Sequence, residues 1–126
     1  MKRQPKPDAG EKSIFFTVPF VPPSVNMYVR HTRLGHHYLT EEAKTFYEAV
    51  WVHSARRKVR GKQYEVTATI YLGKGQKGDT DNFAKVICDG LEKAGVIDSD
   101  AKITALHLFK QRDLLCPRTA ILVSVI

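Results

Sequence analysis

The chain has 126 residues, with 20 Lys and Arg against 13 Asp and Glu for a net charge of +7, and it is 43% hydrophobic and 26% charged. That length suits one domain with a core of its own, and the composition excludes a disordered or fibrous chain. No apolar run approaches the roughly 18 residues of a membrane span, Met1 to Lys12 lacks the apolar stretch of a secretory signal, and two cysteines, Cys88 and Cys116, are too few for a disulfide framework.

Residues 1–13 are rich in Lys, Pro and Gly without apolar periodicity and read as a mobile basic tail; residues 14–126 read as the folded domain. Ile14 to Val18 is a β-branched and aromatic run stopped by Pro19, which suits a strand. Pro19 to Tyr38 reads as a long loop, with Pro22-Pro23-Ser24-Val25-Asn26 near its start and Gly35 near its end. Thr40 opens a helix as its N-cap, and Glu41 and Glu42 follow where the helix dipole favours acids. Ala43, Phe46, Tyr47, Val50, Trp51, Ser54, Ala55 and Val59 recur at helical spacing, and Gly61 is the expected stop. The end of this helix is basic, from Arg56 to Lys62.

Tyr64 to Leu72 alternates as a half-buried strand, with Val66, Ala68, Ile70 and Leu72 on one face and Glu65, Thr67, Thr69 and Tyr71 on the other. Gly73 to Gly78 is a loop. Asp79 or Asp81 then caps a second helix, whose stripe is Phe83, Ala84, Ile87, Cys88, Leu91 and Ala94 and whose end is Gly95. Val96 to Asp100 is a short turn. Ile103 to Lys110 and Thr119 to Ile126 read as strands, with Pro117 in the turn between them. The predicted order is β-α-β-α-β-β.

The net charge points to a polyanionic partner, with nucleic acid ahead of an anionic membrane. Against that background the acids are concentrated: Asp79, Asp81, Asp89, Glu92, Asp98 and Asp100 lie in one segment. In an extended lead into a helix, Asp79 and Asp81 point the same way. Side-by-side carboxylates persist when a cation relieves their repulsion, and magnesium takes one or two of them while keeping several waters. Lys85, four residues after Asp81, shares its helix face and is placed to hold a phosphate oxygen. A short turn is able to return Asp100 to the same place. Phosphodiester hydrolysis fits this set, because a metal lowers the pKa of bound water and neutralises the phosphate oxygens. The structural alternatives stay open. Asp79 or Asp81 alone serves as a helix cap, Lys85 as a solvated i,i+4 partner, and Asp98 and Asp100 as turn residues.

The spaced set Asp79-x-Asp81-Asn82-x-x-Lys85-x-x-x-Asp89-x-Leu91, then Gly95, then Asp100-Ala101-Lys102-Ile103, resembles the RusA family of Holliday junction resolvases. Pro22-Pro23-Ser24-Val25-Asn26-Met27-Tyr28 and His37-Tyr38-Leu39-Thr40 resemble that family's upstream segments, so the resemblance runs from about Ile14 to Ile126. It implies a small α+β subunit with two helices on a mixed sheet, and a homodimer without a membrane partner. The implied activity is a magnesium-dependent endodeoxyribonuclease, with manganese able to substitute. Its implied role is to nick two opposing strands of a four-way DNA junction in recombination and repair. A cytoplasmic, phage- or prophage-borne bacterial protein is implied as well. Carried over by position, Asp79, Asp81 and Asp100 match the family's metal-binding carboxylates and Lys85 its essential lysine. One departure concerns the last acid. The family often has two adjacent aspartates there, whereas Ser99 precedes Asp100 here and Asp98 is the alternative ligand. The competing functions are a nuclease with broader taste for forks and flaps and a catalytically inactive DNA-binding protein.

Of the remaining candidates, Arg30, His31, Arg33, His36 and His37 crowd one loop, but their spacing matches no zinc set; phosphate contact or solvent exposure suits them better. Asn26 and Tyr28 are candidate DNA contacts, and so is the basic run from Arg56 to Lys62, which reads equally as a solvated helix end. Phe46, Tyr47 and Trp51 are expected in the core or at a dimer contact rather than stacked on bases.

Overall fold

In a computed structural model, residues 10–23, 29–31, 37–78 and 80–126 are described, of which 29–31, 37–39 and 80–82 are described by backbone alone. In chain order the elements are β1 (Ser13–Val18), β2 (Val29–His31), β3 (His37–Leu39), α1 (Glu41–His53), β4 (Tyr64–Leu72), α2 (Thr80–Lys93), a 3₁₀ turn (Asp100–Lys102), β5 (Ile103–Arg112) and β6 (Arg118–Val125). The expected β-α-β-α-β-β order holds. In addition, the long loop before α1 contains a short antiparallel hairpin of β2 and β3, in a stretch whose local signals are those of a loop.

The most regular alternation in the chain forms the middle of the sheet. On β4 every second side chain from Tyr64 to Leu72 is buried, and those between are half-buried. Four strands lie in the order β1-β6-β4-β5. β6 pairs antiparallel with both β1 and β4, and β4 runs parallel to β5. A parallel pair cannot be closed by a tight hairpin, and α2 supplies the crossover. Both helices cover one face of the sheet. Ile14, Phe16 and Val18 of β1, and Ile121 and Val123 of β6, meet Phe46 and Val50 of α1 and Phe83, Ile87 and Leu91 of α2 in a single core. No described element covers the opposite face, and Phe15 and Leu122 pair across it while 60% and 38% exposed.

Three expectations about local structure are corrected. Residues 10–13 are part of the body and not of a tail: Glu11 bridges Val59, and Ser13 already pairs with Ser124. Residues 1–9 lie outside the described residues. Helix α1 has the expected cap, with Thr40 Oγ1 accepting from the Ala43 N–H at 3.3 Å, but it ends at His53 rather than near Gly61. Ala55 and Arg56 turn left-handed at φ 55° and 58°, a conformation that costs non-glycine residues roughly 1–2 kcal/mol each. Tertiary contacts offset that cost. The turn lets Val59 bury completely, and Gly61 passes so close to β6 that an added Cβ would meet Val125 Cγ1 at 2.5 Å. Trp51, within α1, lies off its buried stripe. It is 42% exposed with the Arg56 guanidinium 4.3 Å from its ring, whereas Phe46 and Tyr47 are buried as expected.

Candidate active site

The stretch leading to Asp79 is held from the side by β5. Arg112 donates to the Gly73 carbonyl at 2.9 Å, and Lys110 Nζ to the Gly78 carbonyl at 2.9 Å. Gln76 closes the loop by accepting from the Gly73 N–H at 2.6 Å. At Gly78 the chain passes against Phe83, whose ring an added Cβ would overlap, so only glycine fits. Asp79 itself lies outside the described residues. Thr80, Asp81 and Asn82 are described by backbone alone and form the first turn of α2. Asp81 is therefore helical and not in an extended lead, so the two-residue alternation expected for Asp79 and Asp81 does not apply there.

Along α2 the buried face is Phe83, Val86, Ile87, Gly90 and Leu91; Ala84 and Cys88 flank it, half-buried, rather than lying on it. Lys85 and Asp89 pair at 3.5 Å one turn apart, with Lys85 mostly exposed and Asp89 mostly covered. Gly95, at φ 77°, ends the helix, and Arg60 caps it by donating to the Gly95 and Val96 carbonyls at 3.1 and 3.0 Å. One member of the basic run is thus structural. A second, Arg57, is tied to Glu11 at 2.6 Å.

The turn after α2 separates the two candidates for the last ligand. Asp98 has both carboxylate oxygens engaged: Oδ1 accepts from the Tyr64 phenol and Oδ2 from Lys102 Nζ, each at 2.7 Å. The Lys102 ammonium, and after it the Tyr64 hydroxyl, hold the Asp98 carboxyl down at about 2. Asp100 differs. Its backbone N–H donates to Glu92 Oε1 at 3.2 Å, while its half-buried carboxylate has no hydrogen-bond or ion-pair partner among the described residues. Its charge is nevertheless felt on α2. Burial, then the carboxylates of Asp100 and Asp89, push the Cys88 thiol up to about 11.

An unengaged carboxylate beside α2 is the kind of hard oxygen donor that a divalent cation prefers; no group of three metal donors assembles among the described residues, which include neither Asp79 nor the side chain of Asp81. The Asp100 N–H meets the side chain of Glu92, whose backbone lies eleven residues along α2 from that of Asp81, about 16 Å at 1.5 Å per residue.

The thiols provide a direct check of this geometry. With Cys88 near 11 and Cys116 exposed, an alkylating reagent at pH 7.5 should modify Cys116 at least about 100-fold faster, since the thiolate is the nucleophile. Asp100→Asn should speed Cys88 labelling by removing one of the charges that raise it. Unchanged labelling of Cys88 in that variant would remove Asp100 from its neighbourhood.

Of the remaining candidates, Ser24 to Tyr28, Arg33 and His36 lie outside the described residues, and Arg30, His31 and His37 are placed by backbone only, in the β2–β3 hairpin. Tyr64, Arg60, Glu92 and Lys110 shape the site without having been legible in the sequence, because each acts on a partner at least eight residues away.

Two helices over one face of a mixed sheet, with carboxylates at both ends of the second helix and a surplus of surface cations, define a small basic α+β domain. The family model for endodeoxyribonuclease RusA matches residues 19–124, and the chain belongs to this family of Holliday junction endodeoxyribonucleases. These nucleases depend on a divalent metal. No curated protein matches the chain significantly. No helix among the described residues is long and apolar enough to cross a membrane.

Proposed function

We propose that the protein resolves four-way DNA junctions as a homodimer, by paired nicks in two opposing strands, with magnesium as its metal and manganese able to substitute. The setting is recombination and repair in the cytoplasm of a bacterium, on a gene of phage or prophage origin. The observation that carries the reading is the disposition of the acids within a chain matched to this family. Asp81 lies in the first turn of α2, Lys85 one turn further in, and Asp100 meets Glu92 toward the other end with its carboxylate unengaged by any described residue.

That separation favours two chains per site. In this reading an ion that takes all three acids as ligands draws Asp79 and Asp81 from one chain and Asp100 from the other, because Glu92, which holds the Asp100 N–H, lies about 16 Å of helix from the backbone of Asp81. A two-fold dimer then offers two equivalent sites to the two equivalent strands of a junction. When bound, the metal supplies an activated water and neutralises the scissile phosphate. The chain's own groups do the rest. The carboxylates fix the ion, and the Lys85 ammonium, exposed on α2, stabilises charge on a non-bridging oxygen. Lys74 and Lys77, exposed in the loop before Asp79, hold the DNA backbone beside the site.

The test is a gel assay of labelled four-way junction, fork and linear duplex, each with magnesium and with EDTA. Paired cutting of the junction in magnesium alone is expected. Equal cutting of forks would widen the specificity, and no cutting of any substrate would leave a DNA-binding protein.

A further inference from the structure

We propose that Asp98 is a positioning residue: through Tyr64 and Lys102 it locks the turn that presents Asp100, and it does not itself bind the metal. This rests on the reading of Asp100 as a ligand. Lys102 reaches back four residues to Asp98, so the pair straddles Asp100 at its midpoint. The second carboxylate oxygen fastens this bracket to the sheet through the phenol of Tyr64, a fully buried residue at the first position of β4. Ser99 adds a cap within the bracket, its hydroxyl accepting from the Ala101 N–H at 3.2 Å. Glu92 on α2 accepts the N–H of Asp100 itself. The backbone of Asp100 is thereby tied to β4, to α2 and to its own turn, while its carboxylate is unengaged by any described residue.

Both oxygens of Asp98 already accept from a donor, one of them an ammonium, so an ion there would compete with a charge-assisted bond and with the positive charge of Lys102. The reverse holds for Asp100, which loses nothing by turning to an ion. Groups that orient a ligand from behind typically change metal affinity or activity by about 10- to 100-fold, less than the ligand itself does.

The experiment compares Tyr64→Phe, Lys102→Met, Asp98→Asn and Asp100→Asn in the full-length protein. It measures manganese binding by electron paramagnetic resonance with junction present, the magnesium midpoint of single-turnover cleavage, and junction affinity by gel shift. For the first three variants, metal binding should weaken and the magnesium midpoint rise by about 10-fold, with cleavage partly recovered at high magnesium and junction affinity within about twofold of wild type. Asp98→Asn combined with Lys102→Met should be no worse than either alone, because both act through one ion pair. Lys102 is at the surface, so its variant keeps the inference testable if Tyr64→Phe fails to fold. Wild-type metal binding and cleavage in all three, alongside an inactive Asp100→Asn, would overturn the inference alone. An Asp98→Asn defect as deep as that of Asp100→Asn, unrecovered by magnesium, would make Asp98 the ligand. Full cleavage by Asp100→Asn would overturn the assignment of the site and the inference with it.

Discussion

Asp81→Asn should slow junction cleavage by at least about a thousandfold in magnesium while leaving junction binding intact or tighter. The expected size reflects what the carboxylate does. Its charge contributes to a site where a metal supplies several kcal/mol of transition-state stabilisation, and each step of about 1.36 kcal/mol is tenfold in rate. Binding is spared because the lysines that hold phosphates lie elsewhere, and removing a negative charge eases the approach of DNA. The substitution is also close to isosteric, exchanging a carboxylate for an amide at one position in the first turn of α2. Cleavage at the wild-type rate would sink the assignment of the site.

Mixing chains makes the same substitution report on subunit sharing. A heterodimer of an Asp81→Asn chain with an Asp100→Asn chain has one wholly intact site if each site draws on both chains, and none if each chain builds its own. Co-refolded mixtures should therefore regain nicking of one strand without paired resolution. A mixture as inactive as its components would show that each chain carries a complete site.

The second large effect is on binding. Junction affinity should fall by about a thousandfold or more between roughly 50 and 200 mM salt, the range found when six to ten phosphates are neutralised. The structure indicates which cations are available. Arg57, Lys102, Arg118 and Lys44 are committed to Glu11, Asp98, Asp113 and Glu41, and Arg60, Lys110 and Arg112 donate to backbone carbonyls. Lys58, Lys62, Lys74 and Lys77 have no side-chain partner among the described residues, which gives eight such lysines in a dimer. Lys74→Glu with Lys77→Glu should weaken binding and flatten the salt slope by about one unit for each phosphate no longer neutralised. A salt-independent affinity would count against a phosphate-dominated interface. Removing Arg60, by contrast, should act on stability, because its guanidinium closes the end of α2 and does not face free solvent alone.

Periodicity was the most legible part of this chain. The alternation of β4, the cap and dipole signals of α1 and the stop signal of α2 all lie within about a dozen residues of the structure they specify, so pattern alone located them. The candidate acids were legible for a different reason. Carboxylates gathered in an otherwise basic chain, at the spacing of one family, mark chemistry before any fold is known.

Long-range packing decided the rest. The left-handed turn at Ala55 and Arg56, which follows the end of α1 well before Gly61, answers to the burial of Val59 and the approach of Gly61 to Val125. The choice between Asp98 and Asp100 turned on Tyr64, 34 residues upstream of Asp98, whose phenol has no signature in a strand pattern. The sequence by itself determined the order of the main helices and strands and singled out the candidate acids, because caps, periodicity and residue chemistry are local properties. Only the tertiary structure decided that Asp98 is occupied while the carboxylate of Asp100 has no partner among the described residues, because the groups that engage Asp98 come from β4 and from the far side of its own turn.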